Sequence, residues 1–201
     1  DPAVSLGIDL IVKLFDMRSQ MAEASDNIEK DEREFNAAMR RMYADRNFYP
    51  DANSTMRLSF GTIGSYSPYD GADYGYYTTV KGIFEKVKEH SGDPDFAVQP
   101  EVLSLLSSGD FGRYADTKGD MNVCFISNND ITGGNSGSAM FNGKGELLGL
   151  AFDGNWEAMS GDIVFEEALQ RTISVDIRYI LFIIDKFAGA KNIIDEMSIV
   201  K

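Results

Sequence analysis

A short run rich in glycine and serine, residues 132–138, has the residue types of a nucleophile loop: Thr-Gly-Gly-Asn-Ser-Gly-Ser. A serine that attacks a carbonyl carbon needs an exposed hydroxyl on a tight turn, with backbone N–H groups directed at the oxyanion that develops. Glycines on both sides of Ser136 permit such a turn. Ser136 is therefore a candidate nucleophile for acyl transfer. The same residue types also form ordinary polar hairpin loops, so this run alone leaves both interpretations open.

Other residues with catalytic potential give weaker signals. The only histidine, His90, lies at the end of a predicted helix, where a histidine more often complements the helix dipole than acts as a base. The only cysteine, Cys124, lies in an apolar stretch and is expected to be a packed strand thiol. These two residues do not supply a zinc-type ligand cluster, so we expect no metal and no other cofactor.

The composition indicates a globular protein and argues against two classes of partner. Of the 201 residues, 43% are hydrophobic, which is enough for a sizeable core. A net charge of −13 repels nucleic acid and anionic lipid. The apolar run from Ile177 to Ile184 contains an arginine and is too short for a membrane span. Because the chain begins with Asp1 rather than Met, we expect it to be a piece of a longer polypeptide.

Two helices are predicted at the start of the chain, from apolar residues at helical spacing over 4–17 and 28–42. Asp26 and Glu29 resemble a capping box for the second helix. A segment at 47–54 that contains proline and asparagine is the predicted boundary, because the composition changes after it. We place the division between residues 52 and 53.

The part that must position Ser136 is predicted to be rich in β-structure. Alternating apolar residues predict a half-buried strand at 56–60, followed by a tyrosine-rich surface loop up to Tyr77. Further strands are predicted at 123–126, 138–141, 147–152 and 163–165. Asn-Gly-Lys-Gly at 142–145 predicts a hairpin turn, so Ser136 would lie just before a hairpin of an antiparallel sheet or barrel. Helices are predicted at 79–89, from Ser174 to Gly189, and then to Met197.

A longer set of motifs resembles one known family. After Gly-Gly-Asn-Ser-Gly-Ser at 133–138 come Leu-Leu-Gly-Leu-Ala-Phe-Asp-Gly-Asn-Trp-Glu at 147–157 and Ser-Gly-Asp-Ile at 160–163. Ser-Val-Asp-Ile-Arg-Tyr at 174–179 and Asp-Lys-Phe-Ala-Gly-Ala at 185–190 complete the set. The motifs resemble the C-terminal end of the bacterial dipeptidyl aminopeptidases of serine-peptidase family forty-six, most closely the dipeptidyl peptidase seven branch.

The resemblance implies an α+β fold that forms one half of a chymotrypsin-like double β-barrel peptidase. Residues 1–52 would be the end of a helical insertion domain. Residues 53–201 would be the C-terminal β-barrel lobe of the catalytic domain, with its C-terminal helices. In this family the catalytic histidine and aspartate come from the N-terminal barrel, and His90 does not match the family's histidine motif. We therefore expect this chain alone to be inactive.

The resemblance also assigns four site residues. Ser136 would be the nucleophile, and its N–H would form the oxyanion hole with that of Gly134. Asp153 would bind the free amino group of the substrate, because a buried ammonium needs a carboxylate partner. Gly154 takes the position at which an arginine accompanies acidic side chains in the first subsite, so we expect a preference for apolar or aromatic side chains. An ordinary turn glycine is the alternative for Gly154.

The function implied is a serine exopeptidase that releases dipeptides from free peptide N-termini through an acyl-enzyme. Its partners would be peptides with a free N-terminus, and the parent enzyme would be a homodimer in the periplasm or at the cell surface of a Gram-negative bacterium. Two other hypotheses remain open. One is a non-catalytic binding or structural module, and the other is an endopeptidase of the ordinary chymotrypsin type.

Overall fold

The computed structural model describes residues 2–46, 48, 54–161 and 163–200. The chain divides into two compact units, Asp1–Arg57 and Leu58–Lys201. Most of the boundary segment predicted at 47–54, including the division between residues 52 and 53, lies outside the described residues. The assignment of the two parts to a helical insertion and a barrel lobe therefore stays a prediction.

In the described residues of the first unit there is one helix, α1, over Pro2–Met42. The prediction of two helices is wrong, because residues 18–27, between the two periodic stretches, are mostly good helix formers and include no glycine or proline to break the helix. Asp26 and Glu29 lie inside the helix and cap nothing. The pair between Arg33 and Glu29, at 3.3 Å, connects successive turns on the exposed surface, as expected for a solvated helix face.

The second unit is built around a five-stranded antiparallel sheet. Its strands along the chain are β3 (Tyr77–Thr79), β4 (Asn122–Ser127), β5 (Ala139–Phe141), β6 (Leu147–Gly154) and β7 (Thr172–Asp176). Across the sheet their order is β3-β4-β7-β6-β5. A two-stranded hairpin of β1 (Tyr66–Tyr69) and β2 (Ala72–Tyr74) precedes the sheet, within the predicted tyrosine-rich loop. The mixture of helix and sheet is confirmed, but the described strands do not close into a barrel.

Three of the predicted strands correspond to β4, β5 and β6, and the turn at 142–145 joins β5 to β6 as expected. The strand predicted at 56–60 is wrong. Met56, Leu58 and Phe60 are 95%, 85% and 88% exposed, whereas the Ser59 hydroxyl between them donates to the Asp130 carbonyl at 2.7 Å. The polar residues of this segment therefore face the protein, the reverse of the burial that its alternation predicts.

The last strand was also misplaced. No strand forms at 163–165, and β7 forms instead at Thr172–Asp176, partly where a helix was predicted. In β7 the polar residues Thr172, Ser174 and Asp176 are buried and the two apolar residues are half-buried. Asp176 then caps the following helix, because its carboxylate accepts the backbone N–H of Arg178 at 2.9 Å.

The hydrophobic core of the second unit lies among its helices. These are α2 (Val80–Glu89), α3 (Pro100–Ser107), α4 (Ile177–Phe182), which continues into a π-helical turn over Ile183–Phe187, and α5 (Lys191–Asp195). Phe182 is fully buried, and the rings of Phe111 and Tyr114 pack edge-on to it at centroid distances of 5.7 and 6.2 Å. The Tyr114 hydroxyl donates to Asp185 at 3.0 Å, so the one polar tip among these rings is satisfied.

Candidate active site

Ser136 lies in a tight loop between β4 and β5. Gly134 and Gly137, on either side of Ser136, have φ angles of +100° and +83°, which favour glycine. Asn135 closes the loop twice: its N–H donates to the Thr132 carbonyl at 3.2 Å, and its Oδ1 accepts the Thr132 N–H at 3.0 Å. The run at 132–138 therefore forms the glycine-flanked turn that a nucleophile loop requires.

Hydrogen bonds attach this loop to strand β6. The Gly137 N–H donates to the Ala151 carbonyl at 2.7 Å, and the Ala151 N–H donates to the Ser138 carbonyl at 2.9 Å. The Ser136 side chain is exposed, and its Oγ lies 3.5 Å from the Phe152 carbonyl oxygen, the outer limit of a hydrogen bond. The hydroxyl is therefore held near β6 but remains accessible.

A β-bulge in β6 determines where Asp153 points. Ala151 pairs with Ser174 of β7, but Asp153 pairs with Ile173, so Phe152 is an extra residue in the ladder. In a regular strand one of two consecutive residues would face inward, whereas here both Phe152 and Asp153 are exposed. The Asp153 carboxylate accepts only a local bond among the described contacts, from the Gly154 N–H at 2.8 Å.

Gly154 is the last residue of β6 and lies opposite Thr172 of β7. A Cβ atom at this position would lie 3.0 Å from the Ala158 Cβ and 3.9 Å from the Arg171 carbonyl oxygen. The φ angle of Gly154 is not in the left-handed region, so the backbone itself does not require glycine. Gly154 is thus a strand residue in a narrow space rather than a turn glycine.

The residue after Gly154 is held by side-chain and backbone hydrogen bonds that the sequence analysis did not identify. Asn155 is buried, and its N–H donates to the Arg171 carbonyl at 2.9 Å. Its Oδ1 accepts the Arg171 N–H at 2.8 Å, and its Nδ2 donates to the Leu169 carbonyl at 2.8 Å and to the Glu157 carboxylate at 2.7 Å. An asparagine in Asp-Gly-Asn is typical of a turn, so the local sequence does not predict the hydrogen bonds that the buried Asn155 side chain makes.

Tyr66 of the β1–β2 hairpin reaches the same network. Its hydroxyl donates to Glu157 at 3.0 Å, and the Arg171 guanidinium lies over its ring, with Cζ 5.3 Å from the centroid. Burial raises the pKa of the Tyr66 hydroxyl, and the adjacent Glu157 carboxylate raises it further. The hairpin thus supports the segment that follows the candidate substrate-binding residues.

The contacts of His90 and Cys124 are those of structural residues rather than of catalytic ones. The backbone N–H of His90 donates to the Lys86 carbonyl at the end of α2, and its ring stacks on Phe96 at 3.9 Å. Cys124 lies in β4, and burial raises the pKa of its thiol, which makes it less reactive. Within residues 2–46, 48, 54–161 and 163–200, no group of side chains could hold a metal ion and no helix is long and apolar enough to cross a membrane.

Comparisons with known proteins show similarity to bacterial dipeptidyl peptidases. Dipeptidyl-peptidase 7 of Porphyromonas endodontalis is 57% identical over 202 residues, which cover 100% of this chain and 24% of that protein. The Asp/Glu-specific dipeptidyl-peptidase of Porphyromonas gingivalis is 40% identical over 200 residues, covering 100% of this chain and 28% of that protein. The crystal structure of Porphyromonas endodontalis DPP11 in complex with the dipeptide Arg-Glu superposes with a TM-score of 0.72 at 44% identity, covering 80% of this chain and 23% of that chain.

The chain spans only 24% to 28% of the length of the curated relatives named dipeptidyl-peptidase 7. The family described as Peptidase S46 matches residues 1–199, which is nearly the whole chain. This match confirms the resemblance carried by the motifs between residues 133 and 190. The chain belongs to the peptidase S46 family.

Proposed function

We propose that this chain carries the nucleophile of a serine-type dipeptidyl peptidase, which releases dipeptides from free peptide N-termini. The observation that carries the proposal is the loop of Ser136: an exposed hydroxyl on a glycine-flanked turn that is bonded to β6, the strand that also bears Asp153. The similarity to relatives named as dipeptidyl peptidases supports it.

In the proposed mechanism the Ser136 Oγ attacks the carbonyl of the second peptide bond, and a base takes its proton. The N–H groups of Ser136 and Gly134 would bind the oxyanion. In the described part of the chain neither group donates to a carbonyl, so both are available. Collapse of the tetrahedral intermediate transfers the proton to the leaving amine and leaves the dipeptide on Ser136 as an ester. Water then hydrolyses this ester.

Asp153 would bind the α-ammonium of the substrate. A carboxylate is the natural partner for an ammonium group that leaves water, because the hydrogen bond is charge-assisted. The exposed position of Asp153 on β6, beyond the bulge at Phe152, supports this role. A fixed distance between Asp153 and Ser136 would then select the second peptide bond and make the enzyme an exopeptidase.

Gly154 would set the preference of the first subsite. It supplies no positive charge, and the narrow space beside Ala158 suits an apolar wall. A substrate carboxylate buried there would be left unpaired, which costs several kcal/mol. We propose a preference for apolar or aromatic side chains, in contrast to the relatives that are named as Asp/Glu-specific.

The rest of the enzyme would come from a longer polypeptide. Residues 53–201 would be the C-terminal lobe of a chymotrypsin-like double barrel, residues 1–52 the end of a helical insertion, and the catalytic histidine and aspartate would lie elsewhere. The short share of each relative that the chain covers supports a longer parent polypeptide. We propose that the chain alone is inactive, and that the parent enzyme is a homodimer in the periplasm or at the cell surface.

Paired substrates test the proposed function in the full-length enzyme. A dipeptidyl 4-nitroanilide with a free amino group and an apolar second residue should be hydrolysed, and its N-acetylated form should not. Equal cleavage of both forms would indicate an endopeptidase. A fluorophosphonate probe should label Ser136 in the full-length enzyme but not in the 201-residue chain. No labelling and no hydrolysis by the full-length protein would indicate a non-catalytic module.

A further inference from the structure

Two residues, Asn155 and Arg171, form hydrogen bonds with each other at the two ends of the segment that joins β6 to β7. The Asn155 N–H donates to the Arg171 carbonyl at 2.9 Å, like one more bond of the sheet ladder. The return bond runs from the Arg171 N–H to the side-chain Oδ1 of Asn155 at 2.8 Å, where a continued ladder would use a backbone carbonyl. The side chain of Asn155 therefore ends the pairing and lets the chain leave the sheet.

The Arg171 guanidinium organises the end of this segment. The residue is 9% exposed, and its guanidinium donates to backbone carbonyls. Its acceptors are the carbonyls of Gln170 at 2.7 Å, Glu167 at 2.8 Å, Ser65 at 3.1 Å and Ala168 at 3.3 Å. These bonds satisfy carbonyl groups that have no ladder partner, and they tie the segment to the chain before the β1–β2 hairpin.

Asp153 lies between the bulge of β6 and the Asn155–Arg171 pair. On one side Asp153 follows the bulge at Phe152, and on the other it is two residues from Asn155. Its own carboxylate contacts only the Gly154 N–H among the described residues. A group that must meet a substrate ammonium within hydrogen-bond distance needs rigid support, because a displacement of about 1 Å can cost about a hundredfold in rate.

We propose that Asn155 is a positioning residue: with Arg171 it holds the end of β6 and so places the Asp153 carboxylate for the amino group of the substrate. The proposal rests on the proposed function, in which Asp153 binds this amino group. Asn155 itself is buried against Leu169, Arg171 and Glu157 and acts through the backbone of residues 153–155.

Asn155→Asp in the full-length enzyme tests this role. The substitution keeps the size of the side chain and the acceptor for the Arg171 N–H, but it replaces the Nδ2 donor by an oxygen that faces the Leu169 carbonyl and the Glu157 carboxylate. KM for the free-amine dipeptidyl 4-nitroanilide should rise about tenfold or more. The rate of Ser136 labelling by a small fluorophosphonate, which has no amino group, should stay within about twofold of wild type.

The double variant Asn155→Asp/Glu157→Gln is the matched rescue. It removes the repulsion between two carboxylates and restores a donor at position 157, so KM should return at least halfway, on a logarithmic scale, towards wild type. Glu157→Gln alone keeps an acceptor for Asn155 and should change KM less than about threefold.

Two results would overturn the proposal: an unchanged KM for Asn155→Asp, or a loss of labelling rate in proportion to the rise in KM, which would show general damage. Failure of the proposed function would look different. Wild-type enzyme would then not be labelled by the fluorophosphonate, or it would cleave the acetylated and the free-amine substrates equally well.

Discussion

Around Phe182 the second unit is held together by apolar contact, whereas around Asn155 it is held by hydrogen bonds. The first region buries large side chains such as Leu106, Met121 and Phe182, whose contacts have little directional preference. The second buries Asn155, Gln170 and Arg171, each of which donates hydrogen bonds to backbone carbonyls. The two regions therefore differ in role: burial in the core contributes free energy of folding, and the polar network is proposed to orient the end of the strand that bears Asp153.

Ser136→Ala should have the largest effect, and it should lower the activity without changing the stability. It removes the proposed nucleophile, so kcat/KM of the full-length enzyme should fall more than about a thousandfold. The residue is exposed, so the melting temperature should not change by more than about 1 °C. Residual activity above a tenth of wild type would exclude Ser136 as the nucleophile.

Phe182→Ala tests the core. Removal of a fully buried ring should lower the free energy of unfolding by about 3–5 kcal/mol, measured by urea denaturation of the 201-residue chain. Phe187→Ala is the matched control, because Phe187 is 41% exposed and should cost about 1 kcal/mol or less. Similar urea midpoints for both variants would show that Phe182 is not central to the core.

Gly154→Arg tests the proposed specificity at the end of β6. The guanidinium would provide a partner for an acidic side chain, so the ratio of kcat/KM for Asp or Glu over apolar substrates should rise about tenfold to hundredfold. Gly154→Gln, which is long but uncharged, should lower apolar activity without this gain. An unchanged ratio for Gly154→Arg would remove Gly154 from the specificity pocket.

Tyr114→Phe should have the smallest effect. It removes the hydrogen bond to Asp185 and should cost about 1 kcal/mol near neutral pH. Burial alone would raise the pKa of Asp185, but the Tyr114 hydroxyl and the Lys186 ammonium lower it overall. A lowered pKa stabilises the fold above the unfolded-state value of about 4 and stops doing so as the pH falls through the folded-state value.

The difference in unfolding free energy between Tyr114→Phe and wild type should therefore be largest above about pH 5 and shrink in acid. Tyr179→Phe is the control: in the structure as described, its hydroxyl makes no hydrogen bond, so its effect should not vary over this pH range. A difference for Tyr114→Phe that stays constant down to about pH 2 would mean that Asp185 is not linked to folding through Tyr114.

Local patterns predicted several elements of the fold. Helix α2 and strands β4 to β6 form where short runs rich in apolar residues predict them, and the turn at 142–145 follows its glycines. β7 was misplaced because its buried positions are polar, including Thr172 and Ser174, so burial does not follow hydrophobicity there. The strand expected at 56–60 failed for the opposite reason, since its apolar residues are exposed.

The features of the candidate site also differ in whether the sequence could predict them. Ser136 could be proposed as the nucleophile because its neighbours are contiguous and glycine-rich, and the role proposed for Asp153 came from the family resemblance. The bulge at Phe152 depends on the register against β7, and the bonds between Asn155 and Arg171 join residues that are distant in sequence. Such features arise only when strands pair, so no single stretch of sequence contains them.

The extra residue in β6 has a consequence for how this site could change over time. Deletion of one codon at Phe152 would restore the regular ladder with β7 and leave Asp153 opposite Ile173, on the face that is exposed now. The loop of Ser136 contributes its own hydrogen bonds within residues 132–138 and would keep its shape. One codon could therefore be gained or lost at this position of β6 during evolution without turning Asp153 away from the exposed face.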